Sequence, residues 1–149
     1  MPKPRILLHV CCAPDALFVF GVLKEDYEVA GFFSNSNIHP RGEYDLRLEE
    51  ARKVARTHGV LFIEDDYDPD GWLLLTRKFK DEPEKGRRCD VCYAVRLGRT
   101  AERASRECTR NGVGYDLLKR FYLGEANWLS FTEPEQAILR KVSRRFARK

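Results

Sequence analysis

Ile6-Leu7-Leu8-His9-Val10-Cys11-Cys12-Ala13-Pro14-Asp15 is an apolar run that ends on two adjacent thiols, a proline and a carboxylate. Ile6 to Val10 is nearly all apolar, the composition of a parallel strand covered on both faces. Pro14 has no N–H to give to a ladder and so ends the strand. Asp15 is then placed to cap a helix over the apolar residues 16–23. Strand, loop and helix in that order put the thiols at a strand's carboxyl end, where open parallel sheets bind ligands. Each residue also has a plain structural reading. Cys11 and Cys12 read as buried thiols, since free cysteine is among the most buried residue types, and Asp15 reads as a cap alone.

Outward from this stretch the chain alternates strand and helix. Residues 29–33 read as a second strand, leading into the polar loop SNSNIHPRG at 34–42, rich in turn residues. Residues 43–58 read as an amphipathic helix with Tyr44, Leu48, Ala51 and Ala55 on one face, stopped by Gly59. Residues 60–63 form a third apolar strand, followed by an acidic loop with five acids between Glu64 and Asp70. A helix over 71–79 places Trp72, Leu75 and Phe79 at core spacing, and the polar loop 81–88 delivers Cys89 and Cys92. This order argues for a right-handed α/β sheet in one domain over 1–149.

From Asp90 to about Arg110 a long helical pattern carries two faces. Tyr93, Leu97, Ala101, Ala104 and Cys108 are apolar and read as core, with Cys108 structural. Arg96, Arg99, Arg103, Arg106 and Arg110 form a basic stripe, either paired with Glu102 and Glu107 or free to hold phosphates. Beyond it, 115–123 reads as helix or edge strand. Residues 133–149 read as a basic helix capped by Thr132, with Glu135 three residues on.

The chain of 149 residues is 43% hydrophobic and 34% charged, with a net charge of +4, as expected of a soluble globular domain. It has no apolar run of membrane-spanning length and no signal-peptide pattern, so it is expected in the cytoplasm, where thiols stay reduced. Five cysteines in that setting point to metal or redox work rather than a disulfide framework.

Cys11 and Cys12 are neighbours with Cα atoms about 3.8 Å apart, shorter than the roughly 4.4 to 6.8 Å of a relaxed disulfide. In strand geometry they would point to opposite faces, so only a turn lets both meet one ligand. Cys89-Asp90-Val91-Cys92 can aim two thiols at one metal without distortion. Three centres fit four thiols divided in this way. Structural zinc prefers two short knuckles, and an adjacent pair departs from that. Dithiol redox chemistry would use C-x-x-C alone and leave Cys11 and Cys12 idle. An iron-sulfur cluster, broader than one ion, suits the irregular spacing best.

With these residues in view the chain resembles the cobalamin-independent epoxyqueuosine reductases of the QueH family. The resemblance rests on His9-Val10-Cys11-Cys12-Ala13-Pro14-Asp15, then on Asn35, Asn37-Ile38, Pro40, Glu43-Tyr44 and Arg47. It continues through Glu82-Pro83-Glu84, Gly86, Arg88-Cys89, Cys92, Arg96-Leu97 and Thr100-Ala101. It covers about residues 6–108, and 109–149 forms a divergent basic segment without the family's further cysteine motif.

The resemblance implies a Rossmann-like, adenine-nucleotide-hydrolase type of parallel sheet with helices on both faces. It further implies a 4Fe-4S cluster with a neighbouring mononuclear iron at the strand ends, and reduction of epoxyqueuosine to queuosine at the tRNA wobble position. On the same basis Cys11, Cys12, Cys89 and Cys92 are the metal ligands, and Asp15, a hard carboxylate, is a candidate ligand of the separate iron. His9, Glu43 and Tyr44 are candidate proton donors. Spacing alone reads His9 and Tyr44 as core and Glu43 as a partner of Arg47. Arg41, Arg47, Arg87, Arg88, Arg96 and the stripe are expected to contact the tRNA, and a low-potential donor to supply electrons. Two readings from other classes stand beside this one: a zinc-stabilised RNA-binding module, and a small thiol-disulfide redox protein.

Overall fold

The structure is a computed structural model that describes residues 3–111. The side chains of Cys108 and Arg110, and the elements expected over 115–123 and 133–149, lie outside the described residues.

Three parallel strands, β1 (Arg5–His9), β2 (Glu28–Phe33) and β3 (Leu61–Glu64), lie in the order β1-β2-β3. Ile6 pairs with Val29, His9 with Phe32, and Phe32 with Ile63. Helix α1 (Ala13–Leu23) joins β1 to β2, and α2 (Arg41–His58) joins β2 to β3. Both crossovers move in the same direction, so right-handedness puts both helices on one face, where they pack on each other. Helix α3 (Pro69–Thr76) runs into a 3-10 turn (Arg77–Phe79), and α4 (Arg87–Asn111) returns to pack against β1. Phe32, which alternates away from the α1 face, lines a cleft with Arg99, Glu102 and Arg103 of α4, so the second face is covered too. The α/β parallel sheet with helices on both faces is therefore present.

The core lies between the sheet and the α1–α2 layer: Ile6, Val10, Val29 and Phe33 meet Val19, Phe20 and Leu23 from α1 and Tyr44, Leu48, Ala51 and Ala55 from α2. The four α2 positions are those its spacing marked as apolar. Gly59 ends that helix in the left-handed conformation (φ 61°), and its N–H bonds the carbonyls of Ala55 and Arg56. Gly31 is required by close approach: a Cβ there would lie 2.9 Å from Phe20 Cζ and 3.3 Å from Val10 Cγ2. Phe20 is wholly buried and has nowhere to retreat. Gly31→Ala is expected to cost about 1–3 kcal/mol. Urea unfolding checks this, and an unchanged midpoint would mean the ring can yield.

Several sequence expectations shift. Helix α1 starts at Ala13, with Pro14 inside its first turn and Cys12 at the N-cap, so the Asp15 side chain caps nothing. Leu75 is 51% exposed rather than core, because α3 is only eight residues long and packs chiefly on α4; its buried residue is Thr76. Tyr93 is 57% exposed as well. Among the described side chains of α4 the buried ones are Cys92, Thr100 and Ala104, a face displaced from the most apolar one. Helix α4 begins at Arg87, so Cys89 lies in its first turn and Cys92 in the next, at the junction of loop and helix.

Candidate metal centre

The end of β1 is held on two sides before the thiols begin. Val10 N–H donates to the Phe32 carbonyl at 2.8 Å, and the buried Asn35 donates its Nδ2–H to the Val10 carbonyl at 2.8 Å. The chain then turns at Cys11, and Cys12 enters α1 with extended backbone (φ −155°, ψ 160°). That turn brings both thiols to one side: their Sγ atoms lie 3.9 Å apart, unbonded. Asp15, one helical turn after Cys12, sets Oδ2 3.3 Å from Cys12 Sγ and 3.8 Å from Cys11 Sγ. All three ligand atoms lie within 4.8 Å of one another.

Burial pushes the Cys11 thiol up to about 11, helped by the neighbouring Cys12 and Asp15 and opposed by the Arg96 charge. Three groups that are anionic when ligating are thus crowded in a half-buried turn, a charge arrangement that a bound cation relieves. Two soft thiolates beside a hard carboxylate suit iron in either form, so the donor set fits the metal implied by the resemblance.

Cys89 and Cys92 stand at i and i+3 on α4 and face one side of it. Cys92 is buried, and the Lys85 N–H donates to Cys89 Sγ at 3.3 Å. Neither belongs to the compact group of Cys11, Cys12 and Asp15. The two motifs are linked through the packing of α4 on β1. Arg96, one turn beyond Cys92, acts electrostatically on both Cys11 and His9.

The other expected site residues have definite surroundings. Burial lowers His9 to about 4, against the backbone bond to Ser34, so it is neutral at pH 7; its Nε2 lies 3.0 Å from the Ser34 carbonyl, which accepts its proton. Tyr44 is buried between Phe33 and Tyr67, with ring centroids 5.5 and 4.1 Å away. Burial and the Glu64 carboxylate raise its phenol above the ordinary value. Glu43 accepts from Arg47 Nε at 2.6 Å on the surface of α2.

Among the basic residues, Arg41 bonds Asp45 and lies over the Tyr44 and Tyr67 rings. Arg88 donates to the Lys80 carbonyl, and Arg87 is exposed. The basic stripe of α4 does not run free: Asp65, from the acidic loop, holds Arg99 through both Nε and Nη2. That partner comes from across the fold, while Glu102, three positions on, acts on Arg99 only through its charge. Arg96 packs over Tyr93 at 4.9 Å, and among the described residues no carboxylate pairs with it.

Three residues gained weight only in three dimensions. Asn35 stood in the quoted motif without a role, Asp65 was one acid in an acidic run, and Trp72 was assigned to the core. The triple leucine at 73–75 hid which way Trp72 turns, since it is apolar all round.

A family model described as epoxyqueuosine reductase QueH matches residues 6–112. The epoxyqueuosine reductase QueH of Acinetobacter baylyi is 42% identical over 118 residues, covering 68% of this chain and 52% of that protein. That of Streptococcus pyogenes serotype M1 is 39% identical over 108 residues, covering 68% and 42%. The QueH of Staphylococcus epidermidis is 32% identical over 144 residues, covering 91% and 56%. The chain spans about half the length of the curated relatives it matches. Among the described residues no helix is long and apolar enough to cross a membrane.

Proposed function

Because the chain belongs to the epoxyqueuosine reductase QueH family, we propose that it acts in reducing epoxyqueuosine to queuosine at the wobble position of tRNA, in the cytoplasm. The observation that carries this reading is the convergence of Cys11, Cys12 and Asp15 at the end of β1. Cys11, Cys12, Cys89 and Cys92 would hold a 4Fe-4S cluster, and Asp15 a separate iron. Bound there, these supply single-electron transfer and a Lewis acid for the epoxide oxygen.

Opening an epoxide to an alkene and water consumes two electrons and two protons, the electrons coming from an external low-potential donor. The chain's own residues prepare the place for this. Asn35 holds the Val10 carbonyl and so sets the turn from which Cys11 and Cys12 project. His9, neutral and tied to Ser34, contributes no positive charge next to the thiols. Arg96 supplies that charge from α4. At neutral pH a proton is available from the Tyr44 phenol, which burial and the Glu64 carboxylate keep protonated, while Glu43 is held by Arg47 on the surface of α2.

For RNA, Arg41, Arg47, Arg87, Arg88 and Arg96 are the contacts this reading uses. The first two hold exposed acids in i,i+4 pairs, which are worth little and exchange readily for phosphates. Binding of an anticodon stem-loop should weaken with salt by a log-log slope of about 0.7 per phosphate neutralised. A slope near zero would remove these arginines from the interface. The decisive experiment is anaerobic purification with iron and acid-labile sulfide measured per chain, followed by turnover of epoxyqueuosine-bearing tRNA. Iron with matching sulfide and formation of queuosine support the reading; zinc alone, with no sulfide after reconstitution, overturns it.

A further inference from the structure

A row of hydrogen bonds crosses the carboxyl ends of all three strands and stops two residues before Cys11. Ile6, Leu8 and Val10 pack into the core under α1 and α2, so alternation turns Leu7 and His9 to the opposite face, where α4 lies. His9 Nε2–H donates to the Ser34 carbonyl, 3.0 Å away in the loop after β2. Ser34 Oγ–H donates at 2.6 Å to Asp65 Oδ2, just beyond β3, and the Asp65 N–H bonds the Phe33 carbonyl at 2.9 Å. Arg99 of α4 closes the row on Asp65 through Nε and Nη2. Each element is thereby joined to the next at the end of the sheet that carries the thiols.

The register of β1 on β2 ends at the pair His9 and Phe32. Beyond it two side chains cross between the segments in opposite directions, His9 to the Ser34 carbonyl and Asn35 to the Val10 carbonyl. Ser34 and Val10 are both buried, at 3% and 2% exposure, so a carbonyl deprived of its donor there is costly. A carbonyl can only accept, and the bond therefore commits the Nε2 proton of His9. Passing that proton to a substrate would break the row at its first link. Cys11 and Cys12 follow Val10 directly, so any shift of residues 9 and 10 is carried to both Sγ atoms. Metal ligands depend on such outer bonds for their orientation.

We propose that His9 is a positioning residue of the metal centre and not a proton donor: through Ser34 and Asp65 it braces the end of β1, and with it the thiols of Cys11 and Cys12, against α4. The proposal deepens the metal-centre reading and rests on it. The row keeps the residues before Cys11 in one place, so that the donors are already arranged when a metal arrives.

The test is anaerobic binding of cobalt(II) alone to the whole chain, read from the thiolate-to-cobalt charge-transfer and ligand-field bands, which report affinity and donor arrangement together. The bands of the β1 site are those lost in Cys12→Ser. His9→Gln carries an amide N–H at about the reach of the imidazole Nε2–H, whereas His9→Phe keeps a ring and has no donor. Ser34→Ala leaves the carbonyl at position 34 and cuts the row before Asp65. His9→Phe is expected to bind cobalt roughly tenfold more weakly than wild type with shifted bands, and Ser34→Ala to shift them in the same direction. His9→Gln should restore both affinity and band positions. Circular dichroism reports folding separately, and if His9→Phe does not fold, Ser34→Ala against His9→Gln decides. Bands that ignore either His9→Phe or Ser34→Ala overturn the proposal. So does a His9→Gln chain that loses as much as His9→Phe, and so does a wild-type chain that binds no cobalt. The cobalt series uses no tRNA. With the series as expected, a chain that reduces no epoxyqueuosine loses the reductase reading alone; turnover in a chain whose bands ignore these substitutions removes the row alone.

Discussion

Cys12→Ser is expected to abolish iron binding at the end of β1 while leaving the fold intact. Cys12 occupies the N-cap of α1 without making a side-chain cap bond, and serine is among the best N-cap residues, so α1 should be as stable or slightly more so. The thiolate itself has no substitute: with its Sγ 3.3 Å from Asp15 Oδ2 and 3.9 Å from Cys11 Sγ, it completes a triangle whose third side, Cys11 Sγ to Asp15 Oδ2, is 3.8 Å. Loss of groups that only orient metal ligands costs about 10- to 100-fold in affinity, so removal of this ligand should exceed about 100-fold. Iron and sulfide per chain, with circular dichroism as the fold control, measure it. Asp15→Asn provides the contrast. It keeps all four thiols and exchanges only the carboxylate, so sulfide should be retained while iron falls by the one ion assigned to Asp15. Equal loss of sulfide in Asp15→Asn would mean that the carboxylate serves the cluster and not a separate iron.

Asp65→Asn is expected to destabilise the fold by about 2 kcal/mol, the effect of removing one partner of a charge-assisted network tempered by the exposure of the other. Asp65 is 16% exposed at its side chain and Arg99 40%; the carboxylate takes two bonds from Arg99 and one from Ser34 Oγ at 2.6 Å. This cluster ties the end of β3 to α4 and to the loop after β2, and so holds α4 on the second face of the sheet. Burial alone would push the Asp65 carboxyl up, but the bonds from Arg99 and Ser34 outweigh it and hold the carboxyl below its ordinary value. A depressed folded value means the contribution is complete above the unfolded carboxyl value, about 3.9, and is lost as pH falls through the folded value. The stability gap between wild type and Asp65→Asn should therefore be constant from pH 7 to about 5 and close as the pH drops below about 4. Urea unfolding across that range measures it. A gap that stays open in acid would show that the wild-type carboxylate is not what holds α4.

The same pair explains how far the sequence could be read. Continuous apolar runs located β1, β2 and β3, and a 3.6-residue period located α2, within a few residues, because these signals are local to each segment. Helix α4 was placed in the chain but its buried side was misread. It packs against both β1 and α3, so among its described side chains Cys92, Thr100 and Ala104 are buried while Tyr93 is not. Asp65 and Arg99 are 34 positions apart, and no local spacing rule links them.

By itself the sequence determined the α/β alternation, the family, and the place of Cys11, Cys12 and Asp15 at the carboxyl end of β1, since strand run, Pro14 and adjacent thiols are local signals. Only the tertiary structure decided that Asp15 faces the thiols instead of capping α1, that Asp65 takes Arg99, and that Trp72 and Arg96 share a cleft. Those outcomes depend on which way a helix turns about its axis and which loop lies across it. Both are set by packing between elements far apart in the chain.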